Sequence, residues 1–236
     1  MQKCEPTTPL LVRARAAMPL PMPRRPSTAP APKDSGDTWA EPGDLAAVAE
    51  RIAAEIARPG TKRIAVAGGS TPAKVFALLA ARGLDWSGTT LVPTDDRQVP
   101  PDHPASNFGK LKSALGHTPA ILLPLEEGQK IKPFDLVWLG MGEDGHVASL
   151  FPRMCALPSV KPRVIATLPK PLPPEAPFAR LSLNRQALAA TRATILVVTG
   201  EAKRRIVEAA LAGSDAWPVS DVLRAPRAPV TIYWSA

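Results

Sequence analysis

From Glu41 onward the chain switches repeatedly between a helical and a strand-like hydrophobic pattern. Leu45, Val48, Ile52 and Ile56 stand at i, i+3, i+7 and i+11, one face of a helix that Pro59-Gly60 ends. RIAVAGG (63–69) follows as a buried strand. STPAKVFALLAARG then reads as a helix with Thr71 at the N-cap, Pro72 at the first helical position and Gly83 past its end. TTLVPTDD (89–96) predicts a second strand and SNFGKLKSALG (106–116) a further helix. FDLVWLG (134–140) and ATILVVTG (193–200) predict two more strands, the latter running into the helix EAKRRIVEAALAG (201–213), and VTIYWSA closes the chain as a strand. Strands alternating with helices predict an α/β fold, with a mostly parallel sheet covered by helices on both faces. One domain over residues 39–236 accounts for the pattern. Residues 152–178, crowded with prolines, read as a long irregular connection.

Residues 1–38 break the pattern. Eight prolines fall in the first 33 residues, and no apolar period survives them, so a disordered extension is expected. Residues 1–33 also hold +5 of the chain's formal net charge of +8. The rest carries no dense basic run interleaved with aromatics, which argues against nucleic acid and suits a small anionic ligand. No apolar run approaches the ~20 residues that a membrane-spanning helix needs. The two cysteines, Cys4 and Cys155, are too few for a disulfide framework or a cysteine zinc site, and a reducing, cytoplasmic setting is expected.

In an open α/β sheet, ligands bind beyond the carboxyl ends of the strands. Four unusual clusters follow the predicted strands: AGGSTP, TDDR, GMGEDGH and TGEAK. Gly68, Gly69, Ser70 and Thr71 join a strand to a helix, where bare backbone N–H groups and the helix N-terminus favour an anion. The stretch is neither a Walker A loop nor a dinucleotide fingerprint. Lys203, in the first turn of its helix, sits where the helix dipole disfavours a cation unless an anion is bound. Arg180 is a second candidate phosphate clamp. Asp95 and Asp96 point to opposite faces of a strand, so one can face a cleft while the other is structural; Arg97 follows them. Of the three histidines, His103 and His117 sit in loops, whereas His146 is bracketed by glycines with Asp144 two positions before it. An imidazole is the usual general base near neutral pH, and a neighbouring carboxylate fixes its tautomer. Asp144, His146 and Asp95 lack the spacing of a metal motif, so no metal is expected.

GGSTP, TDDRQVPPDHPASN and FDLVWLGMGEDGHVASLFP resemble the 6-phosphogluconolactonases, and RLSLNRQAL, TGEAK, WPVSDVL and VTIYW continue the likeness in order. The resemblance covers nearly all of residues 41–236. It implies a single Rossmann-like domain of the kind shared with the glucosamine-6-phosphate deaminases/isomerases. It also implies hydrolysis of 6-phospho-D-glucono-1,5-lactone in the pentose phosphate pathway, without metal or organic cofactor, by a monomer or weak homodimer. Carried over, it places the substrate phosphate on Gly69, Ser70 and Thr71, with Arg180 and Lys203 as basic contacts. His146, with Asp144 beside it, matches the proposed catalytic histidine. Asp95 and Arg97 match the family's Asp-Glu-Arg, in which Asp96 here replaces the glutamate. The deaminases continue with Ala-Phe-Asn-Glu-Pro after the histidine region; this chain reads Ala148-Ser149-Leu150-Phe151-Pro152, without that acid. A deaminase and a non-catalytic sugar-phosphate-binding regulator stand as the alternative readings.

Overall fold

A computed structural model describes residues 38–152, 154, 161–170, 172, 177–224 and 228–236. The extension expected at 1–38 lies outside these residues except for Thr38. Sixteen elements follow in order: β1 (Thr38–Trp39), α1 (Leu45–Ile56), β2 (Lys62–Val66), α2 (Ser70–Ala80), β3 (Thr89–Pro93), β4 (Asp95–Arg97), α3 (Asn107–Leu115) and β5 (Ile121–Leu122) form the first half. The second half comprises β6 (Phe134–Gly140), β7 (Val164–Thr167), β8 (Arg180–Leu183), α4 (Arg185–Ala189), β9 (Thr191–Thr199), α5 (Glu201–Leu211), α6 (Pro218–Leu223) and β10 (Val230–Ser235).

Seven strands form one sheet in the order β1-β10-β9-β6-β2-β3-β5, and every neighbouring pair is parallel. Parallel strands buried on both faces need apolar residues at consecutive positions, and β6 shows why the sequence complies. Leu136 and Trp138 point into a core shared with Val48 and Ile52 of α1, Val75 and Leu79 of α2 and Leu111 of α3. Val137 and Leu139 point into the opposite core, with Ala187 of α4, Val207 and Ala210 of α5 and Val219 of α6. β9 repeats the division, Ile195 facing the first core and Leu196 the second. The helices therefore form two outer layers, as the alternating pattern predicts.

Three expectations need correction. α2 begins at Ser70 with Gly69 at the N-cap, not at Pro72 behind a Thr71 cap. Proline is tolerated anywhere in the first turn, because the N–H it lacks has no helical partner there. TTLVPTDD is not one strand. Pro93 ends β3, the Thr94 N–H bonds to Val66 at 2.9 Å, and Asp95–Arg97 leaves to join a second, antiparallel sheet of order β4-β8-β7. The third strand of that sheet, VIAT (164–167), lies inside the segment read as an irregular connection. Its alternation is short and flanked by Pro162 and Pro169, which masked it.

The second sheet is tied to α3 through Asp96, which is buried. Its carboxylate accepts from the N–H groups of Arg97 (2.8 Å), Asn107 (2.5 Å) and Phe108 (3.0 Å) and from the Ser106 hydroxyl (3.1 Å). Two of those donors open α3, where a negative charge also complements the helix dipole. The Asp96→Ala variant is expected to lose about 2–4 kcal/mol of stability through those orphaned donors. A lowered midpoint in urea denaturation at unchanged slope would show it.

Candidate functional site

Strand order reverses at the β2–β6 junction: β3 and β5 lie on one side of β2, and β9, β10 and β1 on the far side of β6. The carboxyl ends of strands separate at such a point and leave a crevice. A cleft with about 270 Å³ of water-accessible space opens there. It gathers residues from all four clusters picked out in the sequence. Gly68, Gly69, Ser70 and Thr71 line it, as do Asp95, Arg97, His146, Arg180 and Lys203. Asp144 does not line it.

The wall beyond β2 is built of backbone. Gly69 has φ +113°, a conformation open chiefly to glycine, and no side chain caps α2 behind it. The first N–H groups of the helix consequently present themselves to the cleft. α5 starts in the same way beyond β9, after Gly200 and without a capping side chain, and carries Lys203 in its first turn. Two uncapped helix N-termini at the carboxyl edge of the sheet form a setting for an anion.

Beyond β6 the chain curls through Met141–Leu150. The His146 Nδ1 lies 2.5 Å from Asp144 Oδ1, and the His146 N–H donates to the same oxygen at 3.2 Å. That contact occupies Nδ1 and leaves Nε2 as the nitrogen available for proton transfer. Gly142 makes the arrangement possible: a Cβ there would fall 2.2–2.3 Å from the imidazole. The ring of Phe151 packs against the imidazole, with centroids 4.5 Å apart. Two residues on, Ala148 adopts φ +50°, a strained conformation for a residue with a Cβ. Buried Val147 and the two hydrogen bonds of Ser149 hold it there: the Ser149 N–H donates to Ser182 Oγ at 3.1 Å, and its hydroxyl to Asp95 Oδ2 at 2.5 Å.

The antiparallel sheet supplies the remaining wall. Arg97 and Arg180 face each other in register across β4 and β8, and Asp95 stands opposite Ser182. Burial lowers the proton affinity of Arg180, the nearby Arg97 cation lowers it further, and Asp95 opposes both. Arg180 is almost fully buried, with its guanidinium 5.4 Å from the centre of the Phe151 ring. Among the described residues, no group of three or more histidine, cysteine, aspartate or glutamate side chains is placed to hold a metal ion.

The pairing of Asp95 and Asp96 separates their roles. Asp95 faces the cleft, and Asp96 turns away to hold α3. Sequence reading missed Asn107 and Ser149, which both touch Asp95. Asn107 stands at the first position of a helix, and Ser149 follows a strained alanine. Neither position advertises a polar contact more than ten residues away.

The family model described as glucosamine-6-phosphate isomerases/6-phosphogluconolactonase matches residues 44–125 and 120–234. The 6-phosphogluconolactonase of Pseudomonas aeruginosa is 34% identical over 81% of this chain and 89% of its own length. That of Rhizobium meliloti is 34% identical over 80% of this chain and 90% of its own. The crystal structure of a 6-phosphogluconolactonase from Shewanella baltica superposes with a TM-score of 0.71 at 31% identity, covering 85% of this chain and 97% of that one. Architecture, matched residues and these likenesses agree: the chain belongs to the glucosamine-6-phosphate isomerase/6-phosphogluconolactonase family.

Proposed function

We propose that the chain is a 6-phosphogluconolactonase, hydrolysing 6-phospho-D-glucono-1,5-lactone to 6-phosphogluconate. One observation carries the reading beyond family membership. The imidazole of His146, held from behind by Asp144, shares a single cleft with the N-terminus of α2, Lys203 and two arginines. The N–H groups of Gly69, Ser70 and Thr71, together with Lys203, hold the phosphate. The lactone ring then lies toward His146 and Arg97.

His146 accepts a proton at Nε2 from a water molecule as the water oxygen attacks the lactone carbonyl carbon. Asp144 stabilises the imidazolium that forms. Arg97 faces the oxygen that takes up negative charge, a role in which one donor typically contributes ~3–4 kcal/mol. As the tetrahedral intermediate collapses, the bond to the ring oxygen breaks and His146 returns its proton to that oxygen. The atoms balance with water alone, and no covalent enzyme intermediate is required. Asp144 is behind the imidazole and off the cleft, so His146 serves as the base and Asp144 orients it.

The same geometry favours the lactonase over a deaminase. Phe151 fills the place that the deaminase pattern gives to a glutamate, and it presents an aromatic face to both His146 and Arg180. Opening an amino sugar calls for a further acid or base at the reacting end. Hydrolysis of an activated ester does not.

Purified protein is expected to accelerate acid release from fresh 6-phosphogluconolactone, and His146→Ala to reduce kcat at least about 10²-fold with folding unchanged. Full activity in that variant would remove His146 from the chemistry. Ammonia release from glucosamine 6-phosphate in place of lactone hydrolysis would select the deaminase. Lys203→Ala is expected to act chiefly on KM, raising it on the order of 10-fold, because the phosphate is held equally before and during the reaction. A loss confined to kcat would place Lys203 elsewhere.

A further inference from the structure

We infer that Asn107 is a positioning residue of the reaction: its side-chain amide holds Arg97 and Asp95 in one fixed relation to the Gly68–Thr71 loop. This rests on the lactonase reading but gives a role to Asn107, a residue the sequence reading left without one.

Asn107 is the first residue of α3, is almost fully buried and lines the cleft. Its Oδ1 accepts from the Arg97 guanidinium at 2.5 Å. Its Nδ2 donates to the Asp95 carbonyl at 2.9 Å and lies 3.4 Å from the Asp95 carboxylate. An arginine only donates and a carbonyl only accepts, so the partners fix which way the amide points. The flat side of the amide lies against Gly68, where a Cβ would fall 2.1–2.3 Å from its atoms. A single side chain therefore touches the anion-facing loop, the carboxylate and the guanidinium. Its backbone is itself fixed, because its N–H donates to Asp96 at 2.5 Å.

The consequence for Arg97 is directional. Asn107 and the Ala105 carbonyl, at 3.4 Å, both engage NH1, and Nε is buried without a hydrogen-bond partner. The guanidinium is held by one edge, leaving NH2 as the group to meet the developing oxyanion. Catalytic power of this kind depends on a donor that is already in place, and a displacement of about 1 Å can reduce rate on the order of 10²-fold.

The substitution Asn107→Asp tests the arrangement without changing its shape. A carboxyl there still accepts from Arg97, but when ionised it presents an oxygen to the two Asp95 oxygens that the amide donates to. When protonated, its O–H restores the missing donor. The charged and titratable groups bearing on that position are Asp95, Asp96 and Arg97 of β4, Arg180 of β8, His146 beyond β6 and Lys203 of α5. All are common to the parent and to every variant at this position, so a variant without an added carboxyl serves as the reference for how activity follows pH.

The expected result is a kcat reduced on the order of 10²-fold near neutral pH, with KM changed less than about threefold. The deficit should shrink as the pH is lowered toward about 5, where a carboxyl facing acceptors regains its proton. Asn107→Ser, measured alongside, lacks an ionisable group and should lose kcat by a pH-independent factor; it carries the test if the first variant does not fold. Parent-like kcat in Asn107→Ser overturns the inference, as does a loss in Asn107→Asp that is flat across pH. The parent enzyme's own lactonase activity is the control: its absence would refute the reading of function, whereas parent activity with indifferent variants would refute only the role of Asn107.

Discussion

Two like charges placed face to face govern the architecture of the site. Arg97 and Arg180 are register partners across an antiparallel pair, an arrangement that is destabilising unless something of opposite sign is near. Asp95, two residues before Arg97 and so on the same face of β4, supplies part of that opposite charge. Ser149 and Asn107 fix Asp95 in turn. In the proposed reaction, the negative charge that develops opposite Arg97 adds to that of Asp95. The small second sheet adds Val164 and Leu183 to one of the two hydrophobic cores and holds two guanidinium groups near each other at the cleft.

The main sheet solves a different problem. Its crevice between β2 and β6 follows from topology alone, because the chain winds outward in both directions from that junction. Topology places four loops around one opening but does not aim any side chain. Aiming comes from local conflicts that the fold tolerates: a glycine at φ +113° before α2, a missing Cβ beside His146 and a strained alanine two residues past it. Of the three only Ala148 is strained, and buried Val147 with the hydrogen bonds of Ser149 holds it at the cleft wall.

Much of this was legible in the sequence because parallel strands and amphipathic helices carry strong periodic signals. α1, β2, β6, β9, α5 and β10 all fall where apolar spacing puts them. What escaped were elements too short to display a period, such as β1, β5 and β7. The split of residues 89–97 between two sheets also escaped, because it depends on a distant strand that accepts Asp95–Arg97 as a partner. The site divides along the same line. Glycines, a histidine and charged residues at strand ends are visible as unexpected chemistry, and nine of them meet at the cleft. Asn107 and Ser149 are ordinary residues in ordinary positions, and their importance lies wholly in contacts across the fold. Asp96 shows the intermediate case: alternation along a strand foretold that it and Asp95 would part company, but only the geometry shows that it anchors a helix.

That anchor has a consequence for how the family can diversify. The chain between Arg97 and Asn107 is fastened at both ends, by Gln98 to the Ala179 carbonyl at 2.8 Å and by the Asp96 carboxylate to the start of α3. Closing a loop between ends that are already fixed depends only weakly on its length. The bridge itself is packed, however: the Pro101 carbonyl lies where a Cβ on Gly109 of α3 would fall, and His103 Nδ1 accepts from the Ala105 N–H at 3.0 Å, beside the carbonyl that meets Arg97. A change of length there costs little chain entropy but is felt at Arg97, so the span can vary in sequence more freely than in length.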